Sequence, residues 1–154
     1  MDSIDKLTEF FKEFPGIGER QARRFVYFLM SRNGDFTGNL AKLITELKKD
    51  ISQCKECYRY FIGKGIQDSI CDICRSVTTD SSLLMVLEKD SDLESVRKSR
   101  VYAGKYFVLG GLVPIVEKTT NIRVRIPELI KNIENNSAIK EIILAFSLNS
   151  HGDH

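Results

Sequence analysis

Apolar residues recur at helical spacing from the first turn of the chain: Ile4, Leu7, Phe10, Phe11 and Phe14 share one face, and Asp2 or Ser3 can cap the helix. "PGIG" at residues 15–18 interrupts the stripe, and Ala22, Phe25, Val26 and Leu29 resume it. The pattern predicts two helices joined by a very short turn. Pro15 stops the first helix, Gly16 and Gly18 permit the torsions and close approach of the turn, and Ile17 between them plugs the core. Leu40, Leu43, Ile44 and Leu47 mark a third helix, expected to pack on this hairpin and to bring the chain straight to residue 54. From residue 83 the period changes. The apolar runs "LLMVLE", "YFVLGG" and "EIILAFS" read as strands, separated by two helical stretches. "SDLE" at 91–94 reads as a capping box opening the first, with Leu93 and Val96 inside, and "IPELIKNIENN" places Pro127 in the first turn of the second. Such alternation predicts a parallel sheet whose ligands bind beyond the carboxyl ends of its strands. The expected class is α+β in several parts.

Composition changes this picture little. At 154 residues, 42% hydrophobic and 29% charged, the chain has the makeup of a folded globular protein of one or two domains. Its N-terminus, "MDSIDKLTEFFKEF", is broken by charge every two or three residues, unlike a signal peptide, so a cytoplasmic protein with no membrane partner is expected. A formal net charge of +2 means that affinity for nucleic acid must come from local patches.

All four cysteines fall in "CKECYRYFIGKGIQDSICDIC", residues 54–74. Cys54-x2-Cys57 and Cys71-x2-Cys74 match the four-thiolate zinc pattern, in which two knuckles close a tetrahedron. Four thiolates leave no open position for water, so a structural Zn²⁺ in a small ribbon is expected. Gly63 and Gly65 lie midway, where such a ribbon is expected to turn, flanked by the β-favouring Tyr58, Tyr60, Phe61 and Ile62. A reducing cytosol disfavours the alternatives of two disulfides or free buried thiols.

"PGIGERQARRF" is the pattern of a helix-hairpin-helix, whose glycines let a DNA phosphate approach backbone N–H groups at the start of the second helix. Lys12, Arg20, Arg23, Arg24 and Arg32 against Glu13 and Glu19 give this segment three net positive charges. The alternative is a hairpin whose glycines serve packing and whose arginines are solvated. A second basic stretch, Arg97, Lys98, Arg100, Lys105, Lys118, Arg123 and Arg125 facing only Glu117, suits either phosphates or solvent. Glu88 and Asp153 follow the first and third predicted strands and are candidate Mg²⁺ ligands, although "HGDH", with His151 and His154, also reads as an untethered tail.

In this order, the hairpin, the cysteine pairs and the sheet opening on "LMVLE" resemble the RecR family of bacterial recombination mediators over essentially the whole chain. "FPGIGERQARRFVYFLM" resembles its helix-hairpin-helix, the CxxC pairs its zinc finger, and "YAGKYFVLGG" with "EIILAFS" strands of its Toprim domain. The resemblance implies a helix-hairpin-helix at 1–52, a four-cysteine zinc finger at 53–76 and a Toprim-like α/β domain at 80–154. It implies a DNA-repair function without catalytic residues. Such proteins form homo-oligomers, as rings, tetramers or dimers, embrace DNA without regard to sequence, join RecO or RecF, and help load a recombinase. On this likeness Pro15, Gly16, Ile17, Gly18, Arg20, Arg23 and Arg24 lie toward DNA, Glu88 matches the first Toprim carboxylate and Asp153 a later one. Localisation would be cytoplasmic, at the bacterial nucleoid.

The chain departs from the family in three places. His151 stands where a second acid is usual, "LVPIVEKTTNIRVR" replaces a glycine-rich loop, and the sequence ends at His154, where the family continues. An incomplete, C-terminally truncated sheet is therefore expected, with an edge and an apolar face uncovered. Two rival functions follow from the same features: a Mg²⁺-dependent Toprim enzyme of nuclease or primase type using Glu88, and a zinc-ribbon module binding RNA or protein only.

Overall fold

The computed structural model describes residues 1–63, 69–112, 124–148 and 150–153, the last segment without the side chains of 150 and 151. Two compact units, Met1–Lys49 and Asp50–His154, divide the chain.

In the first unit, α1 (Ser3–Lys12) and α2 (Glu19–Ser31) form the expected hairpin, followed by α3 (Gly34–Asp50). Asp2 caps α1 in a reciprocal box, accepting from the Asp5 N–H at 2.8 Å while Asp5 accepts from the Asp2 N–H. The apolar stripe of α1 is narrower than its spacing predicts. Ile4 and Phe11 are half-buried, Leu7 lies just on the exposed side, Phe10 and Phe14 are clearly exposed, and the fully buried residue is Thr8. Position 8 lies one turn from Ile4 and nearly one turn from Phe11, so it centres the contact face, whereas Phe10 lies away from it. Thr8 satisfies its hydroxyl by donating to the Ile4 carbonyl at 2.7 Å. Opposite stand Ala22 and Val26, both buried, as the stripe of α2 predicts.

The third helix does not pack on the hairpin as expected. Its first turn touches α2, where Phe36 meets Phe28 edge-on and the Arg32 guanidinium lies 4.3 Å from the Phe36 ring. Beyond that, α3 buries no residue, and Leu43, Ile44 and Leu47 are exposed.

In the second unit, β1 (Ile51–Gln53) pairs antiparallel with β2 (Tyr60–Ile62), α4 (Asp72–Arg75) follows, and a parallel three-stranded sheet has the order β4-β3-β5. Its strands are β3 (Asp80–Leu87), β4 (Gly104–Val108) and β5 (Glu141–Ala145); α5 (Asp90–Ser99) and α6 (Ile126–Asn135) connect them, and α7 (Ser150–Asp153) ends the chain. Each face of the sheet has its own core. Met85, Leu87, Tyr106 and Val108 pack with Leu93 and Val96 of α5, while Leu84, Val86, Phe107 and Leu109 pack with Ile126, Leu129 and Ile133 of α6. This two-sided burial explains why β3 and β4 read as continuous apolar runs. β5 is an edge strand whose Ile142 and Leu144 are exposed, in keeping with the expected open edge; the apolar face expected to be uncovered is instead packed over β3 and β4 and bare only at β5.

Two local expectations change. The "SDLE" box is not formed: α5 starts two residues earlier, at Asp90, with Lys89 rather than Ser91 as an uncapped N-cap. The Asp90 carboxylate is instead drawn to the β2 backbone, accepting from the Tyr60 N–H at 2.7 Å. The ribbon also turns elsewhere than predicted. β1 and β2 flank the first cysteine pair, so the antiparallel reversal is the knuckle itself and not Gly63; Gly65 lies outside the described residues. Among the described residues no helix is long and apolar enough to cross a membrane.

Candidate metal centre and nucleic-acid interface

The knuckle geometry starts in the backbone. Cys54 N–H donates to the Arg59 carbonyl at 2.9 Å and Tyr58 N–H to the Cys54 carbonyl at 2.9 Å, closing a loop in which Tyr58 adopts φ 64°. A non-glycine residue in this left-handed region carries a cost of about 1–2 kcal/mol. Tyr58 is held there by edge-on contact with the buried Phe107 and by the Arg125 guanidinium 5.0 Å from its ring. The Cys57 carbonyl accepts from Val108 N–H at 2.8 Å, and the Glu56 carbonyl from the Asn132 side chain at 3.1 Å. The first knuckle is thus tied to β4 and α6.

Cys54, Cys57 and Cys71 are buried and Cys74 is half-buried, and their four sulfurs lie within 4.8 Å of one another. A tetrahedron with metal–sulfur bonds of about 2.3 Å has sulfur–sulfur edges of about 3.8 Å. The Cys57 and Cys71 sulfurs are 3.7 Å apart, which fits that edge and is far beyond a disulfide. Cys54 Sγ also accepts from the N–H groups of Cys57 at 3.5 Å and Cys71 at 3.4 Å, the donors that a thiolate needs. Hydrogen bonds from Cys57 hold the Cys54 thiol down to about 6, and those from Cys54 and then Cys57 hold Cys71 still lower. Cys57 and Cys74, each hydrogen-bonded first to Cys54, are pushed up. The four residues can hold a metal ion, and their spacing suits one of zinc's size.

One residue beside them went unmarked by its type. Arg59 is 4% exposed. It pairs with Asp72, the residue that follows Cys71, and lies 3.8 Å from Glu94. The available signal is strand alternation, which puts Arg59 on the face of the buried Phe61.

In the hairpin, Gly16 has φ 77°, which favours glycine, and Ile17 N–H closes the turn on the Phe14 carbonyl at 3.1 Å. Ile17 is half-buried; Pro15, Gly16 and Gly18 are exposed. Gly18 is the N-cap of α2, extended and without a side-chain cap, and a Cβ there would meet nothing within 4 Å. Packing among the described residues therefore does not require glycine at 18. The three arginines differ. Arg23 is engaged with Asp5 at 3.1 Å and Glu19 at 3.6 Å, bracing α2 to α1, and Asp5 raises its pKa. Among the described residues Arg24 reaches only Gln21, at 3.3 Å, and Arg20 is exposed.

The second basic stretch is not one strip. Arg97 binds Asp72 at 2.8 Å and Arg125 donates to the Val108 carbonyl at 2.9 Å, while Glu117, Lys118 and Arg123 lie outside the described residues. Glu88 sits half-buried just past β3, its carbonyl accepting from Gly110 N–H at 2.8 Å, and Asp153 is exposed on α7. Among the described residues the four cysteines form the one group of three or more potential ligands close enough to hold an ion, and neither carboxylate belongs to it. His154 and the His151 side chain lie outside the description.

These parts define a mixed α+β protein in which a helical hairpin precedes a four-cysteine centre built onto a parallel sheet. No family model matches the chain. It is, however, 32% identical to the recombination protein RecR of Limosilactobacillus reuteri over 152 residues, 99% of this chain and 74% of that protein. Brachyspira hyodysenteriae RecR is 32% identical over 154 residues, covering 99% and 73%, and Lactiplantibacillus plantarum RecR 30% over 152 residues, covering 99% and 74%. The chain belongs to the RecR family of recombination proteins.

Proposed function

We propose that this chain is a DNA-binding recombination mediator in DNA repair, working in the bacterial cytoplasm at the nucleoid without covalent chemistry. Residues 1–52 serve as the helix-hairpin-helix, 53–76 as a zinc finger holding one structural Zn²⁺ on Cys54, Cys57, Cys71 and Cys74, and 80–154 as the Toprim-like domain. A homo-oligomeric clamp, with RecO- and RecF-type partners, completes the reading.

The observation that carries it is the start of α2. Gly18 leaves the first-turn N–H groups without a side-chain cap and leaves open space where a Cβ would stand, so a phosphate can approach. Exposed Arg20 and Arg24 flank this end and supply charge that reads no sequence. Arg23, already held by two carboxylates, contributes less to DNA and more to the hairpin.

Fluorescence anisotropy with labelled single- and double-stranded DNA across a salt series tests this. Arg20→Glu with Arg24→Glu is expected to weaken binding and to lower the salt slope by about two, roughly one per lost phosphate contact, while Arg23→Ala leaves the slope unchanged. Unaltered affinity in the double reversal would remove the hairpin from the interface.

A further inference from the structure

We infer that Arg59 is the buried counter-cation of the four-cysteine metal centre, positioned by Asp72 and Glu94 to neutralise and orient the thiolates and so to set how tightly the ion is held. This rests on the proposed zinc reading. Four thiolates around a divalent ion leave two net negative charges, and three of the four cysteines are buried, where charge is costly to leave uncompensated.

Four side chains form a closed ring beside the cysteines: Arg59 with Asp72, Asp72 with Arg97 at 2.8 Å, Arg97 with Glu94 at 3.9 Å, and Glu94 with Arg59 at 3.8 Å. Two cations and two carboxylates cancel formally, but they are not equally screened. The side chain of Arg59 is 5% exposed, against 60% for Asp72, 48% for Glu94 and 43% for Arg97. Water screens the outer three more than the buried Arg59, so the carboxylates do not fully cancel its charge on the side of the cysteines. Arg59 stands in the first knuckle, its carbonyl accepting from the Cys54 N–H at 2.9 Å, and its guanidinium lies 5.8 Å from the ring of Phe61, which packs with Cys54, Cys57 and Cys71. Its Nε is buried without a hydrogen-bond partner, so the guanidinium keeps a donor in reserve. The carboxylates fix the fork from the far side. Asp72 follows Cys71 directly and Glu94 lies on α5, so the ring also ties the second knuckle to the helix that covers one face of the sheet.

The test is zinc competition against a chromogenic chelator, using the full chain and its Arg59→Met and Arg59→Lys variants. Arg59→Met keeps the bulk and removes the charge, and is expected to weaken zinc affinity by about 10–100-fold, the usual range for partners outside the ligand set. Its Co²⁺ derivative should keep the absorption of a four-sulfur site, which shows the ligands intact. Arg59→Lys retains the charge but not the fork, and should fall between parent and Met variant. If Arg59→Met does not fold even with excess zinc, Arg59→Gln, which also removes the charge, decides. Parental affinity in whichever variant decides overturns the inference. A parent chain that takes up no zinc overturns the zinc reading itself, and this inference with it.

Discussion

The hairpin of residues 3–31 and the cysteine-and-sheet region of residues 51–145 each bury a polar side chain at their centre, and they differ in what surrounds it. Around Thr8 stand Ala22 and Val26, a thin core, while Phe10, Tyr27, Phe28 and Met30 remain exposed. Around Arg59 stand three buried cysteines and Phe61, next to a sheet covered on both faces. Thr8 answers its own helix through one short bond; Arg59 answers carboxylates from two other segments, α4 and α5. A capping box, a glycine turn and the half-exposed Arg23–Asp5 pair therefore shape the first region, and a buried cation tied to other segments the second.

Removing the metal should break the comparison most sharply. Binding of a structural zinc is linked to local folding with apparent free energies on the order of 10 kcal/mol, more than any single core side chain contributes. After chelation, hydrogen exchange is expected to show loss of protection at residues 51–62 and 69–75, with α1 and α2 unchanged. Equal loss in both regions, or in neither, would contradict this division of labour. Core truncation comes next. Phe107 is fully buried between α6 and Tyr58, so Phe107→Ala should cost about 3–5 kcal/mol in denaturant unfolding. Val26→Ala removes fewer atoms from a thinner core and should cost roughly 1–2 kcal/mol. Similar costs for the two would mean that the hairpin core is better packed than its exposed aromatics imply.

Much of this was readable from residue order, for identifiable reasons. The CxxC pairs, Pro127 and the alternation of strands and helices are local or fixed-spacing signals, and each appears where its spacing puts it. The failures share a cause. Phe10, Leu43, Ile44 and Leu47 are apolar at helical spacing, but spacing does not say whether a partner helix is present to cover them. "SDLE" has the letters of a capping box, yet Asp90, one residue earlier, finds a tertiary acceptor role on Tyr60 that moves the start of α5. Arg23 and Arg20 look alike in sequence; the approach of Asp5, eighteen residues away, separates a brace from an exposed cation. Arg59 was hidden for the same reason, because its burial depends on Asp72 and Glu94, neither of them near it in sequence.

The smallest expected effect sharpens the contrast between the two buried polar residues. Thr8→Val keeps shape and volume and deletes one hydroxyl that donates to the Ile4 carbonyl. Within α1 that carbonyl is also the ordinary acceptor for the residue-8 N–H, so deleting the hydroxyl leaves no buried group unsatisfied. A hydroxyl of this kind competes with the helix bond more than it supports it, and valine adds apolar surface against Ala22 and Val26. The variant should therefore be neutral or more stable by about 0.5 kcal/mol in denaturant unfolding. Arg59→Met, by contrast, removes a charge on which other buried groups depend. A loss above roughly 1.5 kcal/mol in Thr8→Val would show that the hydroxyl has a partner beyond its own helix, and the buried centre of the hairpin would then rely on polar contacts between segments as that of the cysteine region does.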